Sequence, residues 1–94
     1  MDTTCKATQL IDDACTRVTR FDFAPGDETG WHVHGFDYVI TALTDCYMRL
    51  ELPGGEVSEV TVSKGSAYRR EAGVEHNVIN AGPAQMSFVE VELK

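Results

Sequence analysis

The sequence has no basic run. Its eight lysines and arginines are scattered among fifteen aspartates and glutamates, for a net charge of −7. Binding to nucleic acid rests on clustered cations that neutralise phosphates, so nucleic acid is not an expected partner. The same deficit speaks against an anionic membrane surface. No stretch approaches the ~20 apolar residues that span a bilayer. The opening "MDTTCKATQLIDD" has no basic segment followed by an apolar one, so no secretory signal is read and a cytoplasmic location is expected. Cysteine is sparse and odd in number: Cys5, Cys15 and Cys46, with no CxxC pair. That pattern excludes a disulfide framework and suits reduced thiols packed as small hydrophobes. Cys46, which follows the histidine segment described below, is the one best placed to approach it. There is no nucleophile elbow and no Gly-rich strand-to-helix turn, which removes serine hydrolases, P-loops and dinucleotide folds.

What is present is a regular alternation of turns and short strands. Breaks rich in Gly, Pro, Asn and Asp fall at "APGDETG" (24–30), "LTD" (43–45), "PGGE" (53–56), "SKGS" (63–66), "EAGVE" (71–75) and "NAGPA" (80–84). Between them lie "TRVTRFDF" (16–23), "DYVITAL" (37–43), "CYMRLEL" (46–52), "EVTV" (59–62) and "MSFVEVEL" (86–93). These alternate polar with apolar at the strand period. In the last of them Val89, Val91 and Leu93 share one face and Glu90 and Glu92 the other. The only hint of helix is a turn or so over 9–14. Many short strands separated by turns predict an all-β barrel or sandwich. Ninety-four residues fit one domain, 1–94, with a thin core that gains from a partner subunit. Leu10 and Ile11, in a segment without a motif of its own, suggest strand pairing across a two-fold, so a homodimer is expected.

The stretch "GWHVHGFDY" (30–38) concentrates unusual chemistry. Residues i and i+2 of a strand share a face, so His32, His34, Phe36 and Tyr38 point one way if the strand is regular. Two imidazoles on one face can hold a metal ion or simply line a wet surface. The third and last histidine, His76, lies in "GSAYRREAGVEHNVIN" (65–80). If the two segments are neighbours in a barrel, three imidazoles converge inside it.

In these two segments the sequence resembles the cupins. Their first motif is a Gly, five residues, His-x-His, three or four residues and usually Glu; here Gly26 is followed by His32, Val33, His34 and then Tyr38. Their second is a Gly, five residues, Pro-x-Gly, two residues, His, three residues and Asn; here stand Gly65, then Glu71, Ala72 and Gly73, then His76 and Asn80. Every glycine and histidine is in register. Glu71 replaces the usual Pro, and Tyr38 the usual Glu ligand. The resemblance implies a double-stranded β-helix, the cupin jelly-roll barrel. It also implies a divalent transition metal (Fe, Zn, Ni or Mn) held by His32, His34 and His76. The wording is most similar to small stand-alone cupins associated with β-alanine degradation.

Three neutral imidazoles leave coordination positions open and the dication charge uncancelled, which favours an anionic ligand such as a small carboxylate-bearing metabolite. Tyr38 can ligate as phenolate, hydrogen-bond a metal-bound ligand, or fill the barrel; its ordinary pKa near ~10 disfavours the first. Arg70 shares a face with Tyr68 and can clamp a carboxylate, whereas Arg69 faces away. Tyr38 and Arg70 are thus the candidate catalytic residues. Glu28 and Glu75, read as loop carboxylates near the mouth, can serve as bases. Asn80 and the glycines 26, 65 and 73 are read as turn residues. An enzyme, a metal or small-molecule binding or sensor module, and a metal-free structural barrel all remain compatible with the sequence.

Overall fold

A computed structural model describes residues 3–94. Nine strands form in chain order: β1 (Lys6–Asp12), β2 (Thr16–Phe23), β3 (His32–Val33), β4 (Asp37–Ala42), β5 (Cys46–Glu51), β6 (Val57–Val62), β7 (Ala67–Arg70), β8 (Glu75–Asn80) and β9 (Met86–Leu93). They make a five-stranded sheet of order β1-β2-β9-β4-β7 and a four-stranded sheet of order β3-β8-β5-β6. Every strand pairing is antiparallel. The two sheets enclose one apolar interior, the expected double-stranded β-helix. No helix among the described residues is long and apolar enough to cross a membrane.

The hint of helix over 9–14 is not realised. β1 runs extended along β2 to Asp12, with a register shift between Gln9 and Ile11. Asp13 then makes the turn: its carboxylate accepts from the N–H of Cys15 at 2.9 Å, and from the N–H and hydroxyl of Thr16 at 2.8 and 3.1 Å. A side chain that satisfies local backbone donors competes with helix and favours a turn.

β9 inverts the face its hydropathy suggests. Its inner row is Met86, Phe88, Glu90 and Glu92, all buried, while Val89, Val91 and Leu93 are half-buried on the outside. The register explains this. Phe88 lies between Phe21 and Ala42, deep in the core, where Phe21, Phe23 and Phe88 pack with ring centroids 5.4–6.4 Å apart. Strand alternation then carries positions 90 and 92 onto the same inner face. The outer row Ile11, Val18, Val91 and Val39 runs across four strands as an apolar stripe.

The turns are built as the glycines suggest. Gly26, Gly65 and Gly73 have φ of +85°, +83° and +98°, where a side chain is strained. Asn80 does more than turn the chain. It is buried at the end of β8, where its amide donates to the carbonyls of Phe23 and Ala84 and its oxygen accepts from the N–H of Gly82. Asn80→Ala strands those three backbone groups and is expected to cost about 2–4 kcal/mol in urea denaturation. A loss under ~0.5 kcal/mol would show that water replaces the amide.

Candidate metal centre

His32 and His76 are direct partners in the β3–β8 ladder. β3 lasts only two residues, so His34 lies just beyond it. Its backbone is held instead by the turn before β8: the His34 N–H donates to the Val74 carbonyl at 2.9 Å, and the Gly73 N–H donates to the His34 carbonyl at 2.8 Å. The glycine of the second motif thus locks the second histidine of the first. Upstream, buried Asn77 clamps the segment leading into β3. Its oxygen accepts from the Gly30 N–H at 2.9 Å, and its amide donates to Glu51 at 2.8 Å and Glu28 at 3.3 Å.

The three imidazoles meet edge to edge. Nε2 of His32 is 3.0 Å from Nε2 of His34, which is 3.1 Å from Nε2 of His76. Nδ1 of His32 is 2.9 Å from the Gly30 carbonyl, so that nitrogen carries the proton and Nε2 presents its lone pair. Burial first, and the neighbouring imidazoles second, hold His34 and His76 down at about 4, neutral at physiological pH. Three facing nitrogens cannot all be satisfied by one proton. A divalent ion bonded at ~2.1 Å holds adjacent nitrogens ~3.0 Å apart at right angles and ~3.4 Å apart at tetrahedral angles, close to the 3.0 and 3.1 Å seen here. The site therefore fits a metal on its own chemistry.

The regular strand expected through position 38 breaks at Gly35 and Phe36. The chain crosses there from the four-stranded to the five-stranded sheet, so Tyr38 approaches the site from the opposite wall. Its ring stacks on His34 at 3.9 Å and 19°, with 2 % of the residue exposed. Burial pushes its hydroxyl well above the ordinary range, which disfavours a phenolate and suits packing against the His34 imidazole. Arg70 is exposed; its guanidinium lies 4.6 Å over the Tyr68 ring and donates to the Arg69 carbonyl. With Tyr38, Tyr68 and His76 it lines a cavity of about 120 Å³.

Other candidates lie elsewhere. Glu75 opens β8 rather than sitting in a loop, and its carboxylate accepts from the Trp31 indole at 2.9 Å. Glu28 is occupied by Asn77 and by backbone bridges to Thr4 and Ile79. Cys46 is buried against the Thr44 and Ser87 carbonyls and does not join the histidines. All three cysteines are free; Cys5 and Cys46 are packed in the core, while Cys15 is exposed.

The wall opposite the histidines holds what the sequence pattern did not single out. A cavity of about 270 Å³ is lined by His32, His34, Phe36, Arg17, Glu90 and Glu92, among others. Arg17 grips Glu92 bidentately, at 2.8 Å from Nε and 2.7 Å from Nη2, and holds that carboxyl below its ordinary range. Glu90, 8 % exposed, has no such cation of its own. Burial, then the charge and hydrogen bond of Glu92, push it up to about 7. Strand alternation was visible in the sequence; which face turned inward was not.

Comparison with known proteins agrees with this architecture. A family model described as a cupin domain matches residues 19–92. A protein of Pseudomonas aeruginosa named β-alanine degradation protein BauB is 52 % identical over 87 residues, spanning 93 % of this chain and 90 % of that protein. The crystal structure of a cupin domain from Bordetella pertussis superposes with a TM-score of 0.94 at 40 % identity, over 100 % of this chain and 97 % of that one. A protein from Klebsiella pneumoniae with a double-stranded β-helix domain gives 0.79 at 20 % identity, over 99 % and 79 % of the two chains.

The raised Glu90 has a thermodynamic consequence. A carboxyl whose folded pKa exceeds its unfolded one contributes stability below the unfolded value, near 4.5, and loses it as pH rises through about 7. Glu90→Gln removes that loss. In metal-free protein the variant is expected to match the parent at pH 4.5 and exceed it by on the order of 3 kcal/mol at pH 8. Urea denaturation across this range checks it; a pH-independent difference would place Glu90 in contact with water.

Proposed function

This chain belongs to the cupin family, and from that premise we propose that it is a divalent-metal cupin acting on a small carboxylate-bearing metabolite. His32, His34 and His76 would hold the metal, drawn from Fe, Zn, Ni or Mn. The observation that carries the reading is the convergence of three Nε2 atoms, with the other nitrogen of His32 committed to a backbone carbonyl. Once bound, the metal supplies Lewis acidity, or redox chemistry if it is iron or manganese. The likeness to a protein named for β-alanine degradation supports a substrate from that chemistry.

The protein's own groups divide the remaining work. Tyr38 fixes the plane of His34 by stacking. Asn77 and Gly73 hold the backbone on either side of the two motif histidines. Glu90, on the wall of a cavity that also reaches His32 and His34, can take or give a proton near neutral pH. A metal store or sensor needs coordination and shape but no such group, so Glu90 favours an enzyme over a binding module.

A cytoplasmic setting accords with the free thiols. A homodimer accords with exposed Leu10 and Ile11 on the sheet-edge strand β1 and with the apolar outer stripe. Neither nucleic acid nor membrane is a partner in this reading, in keeping with the charge of −7.

Two measurements test it. Elemental analysis of protein purified without a histidine tag should find about one divalent metal per chain, and His34→Ala with an unchanged circular dichroism spectrum should lose at least ~90 % of it. A parent that takes up no Fe, Mn, Ni or Zn removes the metal reading. Sedimentation should give the mass of two chains, shifted toward one by Leu10→Lys with Ile11→Lys; a parent monomer removes the dimer.

A further inference from the structure

The cavity beside the histidines has two chemically different walls, and they ask for different ligand groups. On one wall are the nitrogens proposed to hold the metal. On the other, Glu90 and Glu92 stand two residues apart on one face of β9. Arg17 already satisfies Glu92 through two hydrogen bonds, with the guanidinium edge that would otherwise clamp a ligand carboxylate. Glu90 is more than nine-tenths buried and lines the cavity, and its strand neighbours Thr19 and Ile40 bring no charge to it. Its one carboxyl-sized companion is another carboxyl. Glu92 shares a hydrogen bond with it, and Arg17, whose two hydrogen bonds go to Glu92, reaches it through its charge alone. A buried carboxyl with no cation bonded to it is costly to ionise. A ligand that brings a cation removes that cost.

We propose that Glu90 receives the amino group of a small amino-acid ligand whose carboxylate lies at the metal. The inference rests on the metal-carboxylate reading above and adds the polarity of the ligand's other end. Phe21 and Phe36, which line the same cavity, leave the carbon chain between the two ends in apolar surroundings. A dicarboxylate meets Glu90 with like charge, and a plain fatty acid leaves it unpaired. The site is thus selective by charge at one wall and by metal coordination at the other.

The test is calorimetric titration of the metal-loaded protein with four three-carbon probes: propanoate, 3-hydroxypropanoate, 3-aminopropanoate and malonate. A charge-assisted hydrogen bond in a desolvated site is worth roughly a factor of 10 to 100. The aminoacid should therefore bind at least ~10-fold tighter than propanoate, with malonate weakest. Glu90→Gln should abolish the preference while keeping propanoate affinity and metal content. Equal binding of propanoate and 3-aminopropanoate, or a preference for malonate, overturns the role of Glu90 and leaves carboxylate binding at the metal standing. Tightest binding of 3-hydroxypropanoate overturns the cationic ligand. Failure of all four probes to bind loaded protein overturns the carboxylate reading itself. The order in the parent decides the matter even if the variant loads metal poorly.

Discussion

Cross-strand pairing of His32 with His76 is the constraint from which the site follows. Two residues opposite each other in an antiparallel ladder cannot drift apart without breaking the ladder. That fixes two imidazoles. The third is set by backbone rather than by strand, because His34 and the Gly73–Val74 turn exchange hydrogen bonds at 2.8 and 2.9 Å. Gly73 can serve there because its φ of +98° is open to glycine and strained for other residues. The two motifs are forty residues apart in sequence but form one mechanical unit. Asn77 completes it by pinning Gly30 on the upstream side. The three ring nitrogens are preorganised by main-chain geometry, and side-chain packing only trims the ring planes, as Tyr38 does for His34.

The second organising feature is the change of character along the inner face of β9. Met86 and Phe88 belong to the aromatic floor with Phe21 and Phe23, and Glu90 and Glu92 belong to the mouth. One strand therefore seals the barrel at one end and opens it chemically at the other. Burial of two carboxyls side by side is tolerable because Arg17 neutralises one and the other resists ionisation. The same burial keeps His34 and His76 neutral. Burial on both walls thus works against charge on acidic and basic groups alike.

An all-β barrel or sandwich was legible in the sequence from short-range regularities, and the double-stranded β-helix and the histidine set from the resemblance of its two motifs to those of cupins. Glycine spacing marks turns, i and i+2 positions share a face, and five of the nine strands stand out by alternation. What escaped depends on longer-range facts. Alternation separates Val89, Val91 and Leu93 from Glu90 and Glu92 but carries no sign for inside and outside; that sign comes from Phe88, whose place between Phe21 and Ala42 is a tertiary fact. The break at Gly35 and Phe36 moved Tyr38 to the other sheet, which a strand period read straight through could not show. The extended form of β1 followed from its partner strand and from the Asp13 turn rather than from its own composition. Arg70, singled out for its charge, lies over Tyr68 at the cavity that reaches His76, whereas Arg17, an ordinary alternating residue in β2, reaches the cavity beside His32 and His34.

Trp31 has a position with optical significance. It is the single tryptophan of the chain, adjoins His32, and is half exposed, with its indole N–H tied to Glu75 on the strand that carries His76. The fluorophore is therefore anchored to both strands that bring the first pair of imidazoles together. Its emission reports on the β3–β8 junction and the β5–β6 turn that faces it, with no second indole to dilute the signal. The molecule carries its own optical gauge of the histidine cluster, readable without a label.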